Sequence, residues 1–223
     1  MNLMIHSFFW GDYMKRIIFD LDGTLLTGSF EFEKKYFTSL YGEDALDMVE
    51  NMGKYLDEYE KTFPRYHHIW LSKYLSDKSG LNVTEDIIDG WIEVMSTVPD
   101  VMEENVIQTL ENLKKKDYSL AVLTNWYGDT QISRLRNAGI LHYFDNVYTG
   151  DFALKPHEKA YMWARDDYNI EDCLFVGDNV DKDYIGPRMY GFESILYDKK
   201  EKEHKSLVKI KKLNELIKIT DNK

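Results

Sequence analysis

Five short apolar runs punctuate the chain, each closing on polar residues: Ile17–Phe19, Leu120–Leu123, Val147–Tyr148, Leu174–Val176 and Ser194–Tyr197. Runs this short, ending in polar turns and separated by helical patterns, have the character of buried parallel strands in βαβ units. Val106, Ile107, Leu110 and Leu113 repeat at helical spacing ahead of the second run. Ile132 and Leu135 continue the alternation after it, with Gly139 as the predicted C-terminal stop. The pattern predicts an open α/β sheet, whose ligands gather at the carboxyl ends of the strands.

Residues 29–96 break that rhythm and contain no convincing strand. Leu46, Val49, Met52, Leu56, Tyr59 and Phe63 form an apolar stripe that Pro64 ends. Ile69, Trp70 and Tyr74 predict another helix. Thr84 is placed to cap a further one, with Ile87, Ile88, Trp91, Ile92 and Met95 on its buried face. Tyr36, Phe37, Tyr55, Tyr59 and Trp70 read as the core of this bundle. The expected organisation is a Rossmann-like parallel sheet core, residues 14–28 and 97–223, with an inserted α-helical cap at 29–96. Residues 1–13 read as an N-terminal extension, because Met14 before Lys-Arg-Ile-Ile-Phe has the character of a natural start. Within that extension, Phe8–Trp10 is expected either to cover the core or to pack on a second copy, leaving monomer and homodimer both open. The Lys-rich stretch from Lys199 to Lys212 reads as solvated surface before a last helix near Leu213–Ile217.

Composition narrows the partners. In 223 residues, 43% hydrophobic content is enough for a sizeable core, and a net charge of -11 repels nucleic-acid backbones and acidic membrane surfaces. An anionic substrate would therefore need neutralising locally. No apolar run approaches the roughly 18 residues of a membrane span. The opening MNLMIHSFFWGDY is interrupted by His6 and Ser7 and follows no basic region, so it is not read as a signal peptide. A single cysteine, Cys173, excludes an intrachain disulfide and fits a reducing cytoplasm.

The chemistry concentrates just past the predicted strands. In Asp20-Leu21-Asp22-Gly23-Thr24, carboxylates two apart on an extended chain point the same way. Gly23 permits a sharp turn that Thr24 can tie down. Such a pair can bind a metal, divide nucleophile and acid roles, or do both; a plain polar turn is the alternative. Thr124-Asn125 offers a hydroxyl and N–H groups after the second strand. Lys155-Pro156 supplies a cation held extended by the following proline, and Gly177-Asp178-Asn179-Val180-Asp181-Lys182-Asp183 supplies acids suited to a hard metal. Each is weak alone. Together they are the kit of phosphoryl transfer, which needs positioning and charge neutralisation.

In order and spacing, DLDGT at 20–24, TN at 124–125, KP at 155–156 and GDNVDKD at 177–183 resemble the four motifs of the haloacid-dehalogenase-like hydrolase superfamily. The resemblance spans about Lys15 to Tyr197, and the helical insert is similar to the cap of the subgroup containing phosphoglycolate phosphatases and β-phosphoglucomutases. It implies Asp20 as the nucleophile on phosphorus and Asp22 as the acid and then the base. Thr124, Asn125 and Lys155 would hold the phosphoryl group. Mg²⁺ would take oxygens from Asp20, the Asp22 backbone carbonyl and Asp178, with Asp183 reaching the metal through water or orienting Lys155. Asp181 falls at a variable, solvated position, and Asn179 stands where serine is common.

The resemblance implies hydrolysis of a small phosphorylated metabolite. A phosphomutase would use the same aspartates, dehalogenation would not need Asp22, and a silent docking module would have no need of the whole set. Trp126 and Tyr127 are expected to pack under the cap rather than stack on substrate, and His157 to lie at the surface of a helix start. Arg65, His67 and His68 are expected at the surface or between cap helices.

Overall fold

The computed structural model describes residues 15–199 and 206–221; the predicted extension at 1–13 and the segment Phe8–Trp10 lie outside the described residues. In chain order the elements are β1 (Arg16–Phe19), β2 (Leu26–Thr27), α1 (Glu31–Tyr41), α2 (Ala45–Thr62), α3 (His68–Ser79), α4 (Glu85–Ser96) and β3 (Val101–Met102). Then come α5 (Val106–Lys115), β4 (Ser119–Leu123), α6 (Gly128–Asn137), β5 (Asn146–Tyr148), α7 (Glu158–Arg165) and β6 (Cys173–Gly177). The chain closes with α8 (Gly186–Met189), β7 (Glu193–Tyr197), β8 (Lys209–Ile210) and α9 (Glu215–Asp221).

All five predicted strands form, and with a sixth, β8, they pair in parallel in the order β5-β4-β1-β6-β7-β8. The pleat decides which side each residue serves. Ile17 and Phe19 face one helical layer with Val106, Leu110 and Leu135, while Ile18 faces the other with Ala160, Tyr161 and Phe175. These side chains are essentially inaccessible to water, and each large one contributes roughly 1.5–3 kcal/mol by burial. Because β1 lies between β4 and β6, the chain leaves it in opposite directions along the sheet. That reversal opens a crevice beyond the carboxyl ends of all three strands.

Four helices, α1–α4, occupy the region predicted to be helical, between the two short strands β2 and β3. Their aromatic cluster centres on Phe37, Tyr59, Tyr66 and Trp91 and takes in Tyr127 and Leu154 from the sheet side. Several apolar positions turn outward, contrary to expectation. Leu46, Trp70 and Ile107 are exposed, because α2 buries Met48, Met52 and Tyr59, and α5 buries Val106, Leu110 and Leu113. Trp70 lies against Phe63 and under the Arg65 guanidinium at the surface. Thr84 does occupy the N-cap position of α4, but its side chain makes no capping bond. The Lys-rich tail is also not all solvated surface: Ile210 is buried in β8, which extends the sheet edge. Among the described residues no helix is long and apolar enough to cross a membrane.

Candidate active site

The chain turns sharply where β1 ends. Asp20 donates its backbone N–H to the Val176 carbonyl at 2.8 Å, and the N–H groups of Leu25 and Leu26 return to the Leu21 carbonyl at 2.9 and 3.0 Å. Gly23 takes φ +79°, and a Cβ there would stand 2.5 Å from Asp178 Oδ2. A bare Cα at this position lets the β1 and β6 loops close on each other.

Lys155 is the centre of the site. Its Nζ donates to Asp20 Oδ1 at 2.7 Å and to Asp183 Oδ1 at 2.6 Å, with all three side chains buried. Burial works against the ammonium, but Asp183 and Asp20 outweigh it and hold the lysine charged far above its ordinary range. Asn125 fixes the lysine backbone: its Nδ2 donates to the Lys155 carbonyl at 3.0 Å and its Oδ1 accepts the Lys155 N–H at 2.9 Å. The Asn125 amide thus positions Lys155. Asp183 is presented by a π-helical turn, Val180–Ile185, which Asn179 caps by accepting from the N–H groups of Asp181 and Lys182. Asp181 is exposed, as its variable position implied.

One cation serves too many acids. Asp20, Asp178 and Asp183 each offer a carboxylate oxygen within 4.8 Å of the others. Burial pushes Asp20 well above the carboxylate range against the pull of Lys155, with Asp183, Asp178 and Asp22 pushing the same way. Asp178 stands exposed at the rim, yet desolvation of its carboxyl and the charge on Asp183 push it up to about 6. Three hard oxygen donors short of positive charge fit a small divalent cation.

Asp22 is held from the side. It is half-exposed and accepts from Arg134 Nη1 at 2.7 Å and from Gln131 Nε2 at 2.9 Å. Gln131 also donates to Thr124 Oγ1 at 2.7 Å, and Arg134 is anchored by Asp100 at 2.6 Å. Thr124 itself is buried at the end of β4. Gln131 and Arg134 lie three apart on α6, turned inward beside Leu135. Two polar residues at helical spacing on a buried face were the available signal, and a search for apolar stripes passes over it.

The same cavity, about 280 Å³, reaches from these groups up to Glu33, Leu56, Trp91 and Met95 on the helices and to Trp126 after β4. Trp126 adopts φ +119°, a conformation costing a non-glycine residue about 1–3 kcal/mol. Gly150, whose Cβ would fall 2.6 Å from the Trp126 nitrogen, gives it room, and the ring settles 4.5 Å from Trp91 and 5.1 Å from Tyr66. Tyr127 packs beside Tyr66, as expected, whereas Trp126 both packs and lines the cavity. His157 is not a free surface residue: its Nε2 lies 2.8 Å from the Glu60 carbonyl of α2. Glu60 is further tied to Lys182 and to Tyr66 Oη. His68 pairs with Asp89 at 2.5 Å, bridging α3 and α4, and Arg65 and His67 lie with it around a separate groove. Glu33 has no foreshadowing in the sequence, because it is a charged residue one turn before Phe37 on the buried face of α1. Burial pushes its carboxyl up to about 7, with the nearby Trp91 indole opposing.

The crevice lies at the strand ends of a parallel α/β sheet, and the chain belongs to the haloacid dehalogenase-like hydrolases, whose family pattern matches residues 14–191. Among curated relatives, a ribulose-1,5-bisphosphate 5-phosphatase from Halopiger xanaduensis is 23% identical, over 83% of this chain and 85% of its own. A glyceraldehyde 3-phosphate phosphatase from Methanocaldococcus jannaschii is 26% identical, over 94% of this chain and 98% of its own. The fold is shared with the magnesium-bound putative hydrolase YfnB from Bacillus subtilis, at a TM-score of 0.73 and 16% identity, covering 94% and 99% of the two chains.

Proposed function

We propose that this protein is a magnesium-dependent phosphatase that hydrolyses a small phosphate monoester through an aspartyl phosphate on Asp20. The observation that carries the reading is Lys155 bridging Asp20 and Asp183 at 2.7 and 2.6 Å with Asp178 alongside. A buried carboxylate nucleophile must meet an anion, and this arrangement supplies the neutralisation that the encounter needs. Asp20, Asp178 and Asp183 would hold Mg²⁺, directly or through water, with the Asp22 carbonyl; when bound, it offsets the charge on the phosphoryl oxygens.

A carboxylate oxygen of Asp20 attacks phosphorus while the bond from phosphorus to the leaving oxygen breaks. Asp22 gives its proton to that oxygen, then takes one from the water that attacks the acyl phosphate, and Asp20 is regenerated. Thr124, beside Asn125, and Lys155 hold the phosphoryl oxygens. Arg134 and Gln131 keep Asp22 at the edge of the reacting centre. Helices α1–α4 act as the cap that shields the intermediate from bulk water. A small cytoplasmic metabolite is the expected ester.

The test is phosphate release from a panel of small esters, with and without Mg²⁺, for wild type and Asp20→Asn. Release that needs both metal and Asp20 supports the reading; wild-type turnover by Asp20→Asn sinks it. Transfer to a second sugar hydroxyl without free phosphate would identify a mutase instead.

A further inference from the structure

The part of the cavity formed by the helices contains polar groups that the chemistry above leaves unused. Glu33 is 5% exposed and pairs with no cation among the described residues, while Trp91, 1% exposed, lies close to it without a well-formed hydrogen bond. The Nε1–H of Trp91 and that of Trp126 are both buried without an acceptor. Burying two N–H donors with their hydrogen bonds unmade is costly, and such groups beside an unpaired carboxyl that lines the cavity mark a place where a ligand completes them.

The positive charges lining the cavity tell the complementary story. Among the described residues, Arg134 is bound to Asp22 and Asp100, Lys155 to Asp20 and Asp183, and Lys182 to Glu60 and Asp57. None is left over for a second anionic group on the substrate. The cavity of about 280 Å³ also falls just short of the roughly 300–1,000 Å³ typical of drug-sized ligands.

We propose, resting on the phosphatase reading, that the cavity selects an ester whose leaving group is small, uncharged and hydroxylated, with Glu33 accepting from a hydroxyl and the indole N–H groups of Trp91 and Trp126 donating to its oxygens. A leaving group bearing a carboxylate or a second phosphate would meet Glu33 and find every cation occupied. The class is therefore short polyol or sugar monophosphates, and phosphorylated carboxylic acids and bisphosphates are disfavoured. The positive φ of Trp126 fits this assignment, since backbone strain is retained where it aims a side chain at a ligand.

The experiment compares kcat/KM for glycerol phosphate, phosphoglycolate, a sugar bisphosphate and para-nitrophenyl phosphate in wild type, Glu33→Gln and Trp126→Phe, with thermal melting as a check on folding. Wild type should favour glycerol phosphate over phosphoglycolate by at least about tenfold, and Glu33→Gln should shrink that ratio by about tenfold, within the reach of one charge-assisted hydrogen bond. The ratio is read within each variant, so partial loss of folded protein cancels. Trp126→Phe keeps a ring but loses the donor, and should lower turnover of glycerol phosphate relative to the nitrophenyl ester. Wild-type preference for phosphoglycolate or the bisphosphate would overturn the inference, as would a ratio that Glu33→Gln leaves unmoved. If para-nitrophenyl phosphate is cleaved while the ratio stays put, only this inference falls. If no ester at all releases phosphate, the phosphatase reading falls and takes it along.

Discussion

Replacing Glu33 by glutamine should stabilise the protein in neutral and alkaline solution while leaving it nearly unchanged in mild acid. Glu33 is buried against Trp91 without a cation, and its pKa is raised from the ordinary 4.5 to about 7. A carboxyl with a raised folded-state pKa binds its proton more tightly when folded. Its contribution is intact below the unfolded value, and stability is lost as pH climbs from about 4.5 through about 7. A separation of that size corresponds to a destabilisation on the order of 3 kcal/mol once the group is ionised in both states. Glutamine keeps the shape and one acceptor but never ionises. The two proteins should differ by on the order of 3 kcal/mol near pH 8 and by about 1 kcal/mol or less near pH 5. For a chain of this length the alkaline difference amounts to roughly 6–12 °C in melting temperature. Melting curves across that range, with a chelator present so that metal binding does not enter, provide the assay. Asp20 and Asp178 also have raised pKa values, but they titrate in both proteins and cancel in the difference. A gap between the two proteins that does not change with pH would refute the argument, because it would mean that Glu33 does not titrate between the two limits.

Lys155→Met would leave Asp20 and Asp183 facing each other without their shared cation, so the metal-free protein should lose on the order of 3 kcal/mol in urea melts. An unmoved midpoint would contradict the pairing. Arg134→Met frees Asp22 on one side and should lower kcat about 10²-fold on alkyl phosphates but much less on para-nitrophenyl phosphate, whose phenolate leaves without protonation. Equal losses on both esters would argue against Asp22 as the proton donor. Gly150→Ala brings a methyl group to 2.6 Å from the Trp126 nitrogen and should cost about 1–3 kcal/mol in a thermal melt. A wild-type melting temperature there would show that the Trp126 turn yields easily.

The sheet was legible because each central strand is an uninterrupted apolar run, and because polar residues past a buried strand have few reasons to be there. That logic singled out Asp20, Thr124 and Asp178 directly, and Lys155 through the loop beside them, and the structure places the four around one cavity. It failed where structure is too short to show a period: β2 and β3 are two residues each, and β8 buries only Ile210 of its pair. Periodicity also mistook the facing of stripes. Leu46 and Ile107 sit at apolar positions yet look outward, because tertiary packing chose a neighbouring set on the same helix. The site residues that escaped, Gln131, Arg134 and Glu33, are polar groups on inward faces. Hydrophobic patterning is blind to such groups, and only the packed structure shows what they touch.

The ribbon of β2 and β3 pairs Leu26 with Met102 and Thr27 with Val101, so the chain leaves the sheet and returns to it at neighbouring points. Everything between those points is, topologically, a loop with a closed neck. A module joined in this way can be lengthened, shortened or exchanged for another without re-registering any strand of the sheet or moving Asp20, Lys155 or Asp183. The fold therefore separates two kinds of inheritance: Asp20, Lys155 and Asp183 sit with the sheet, and Glu33 and Trp91 in a segment that can be recombined at a single seam.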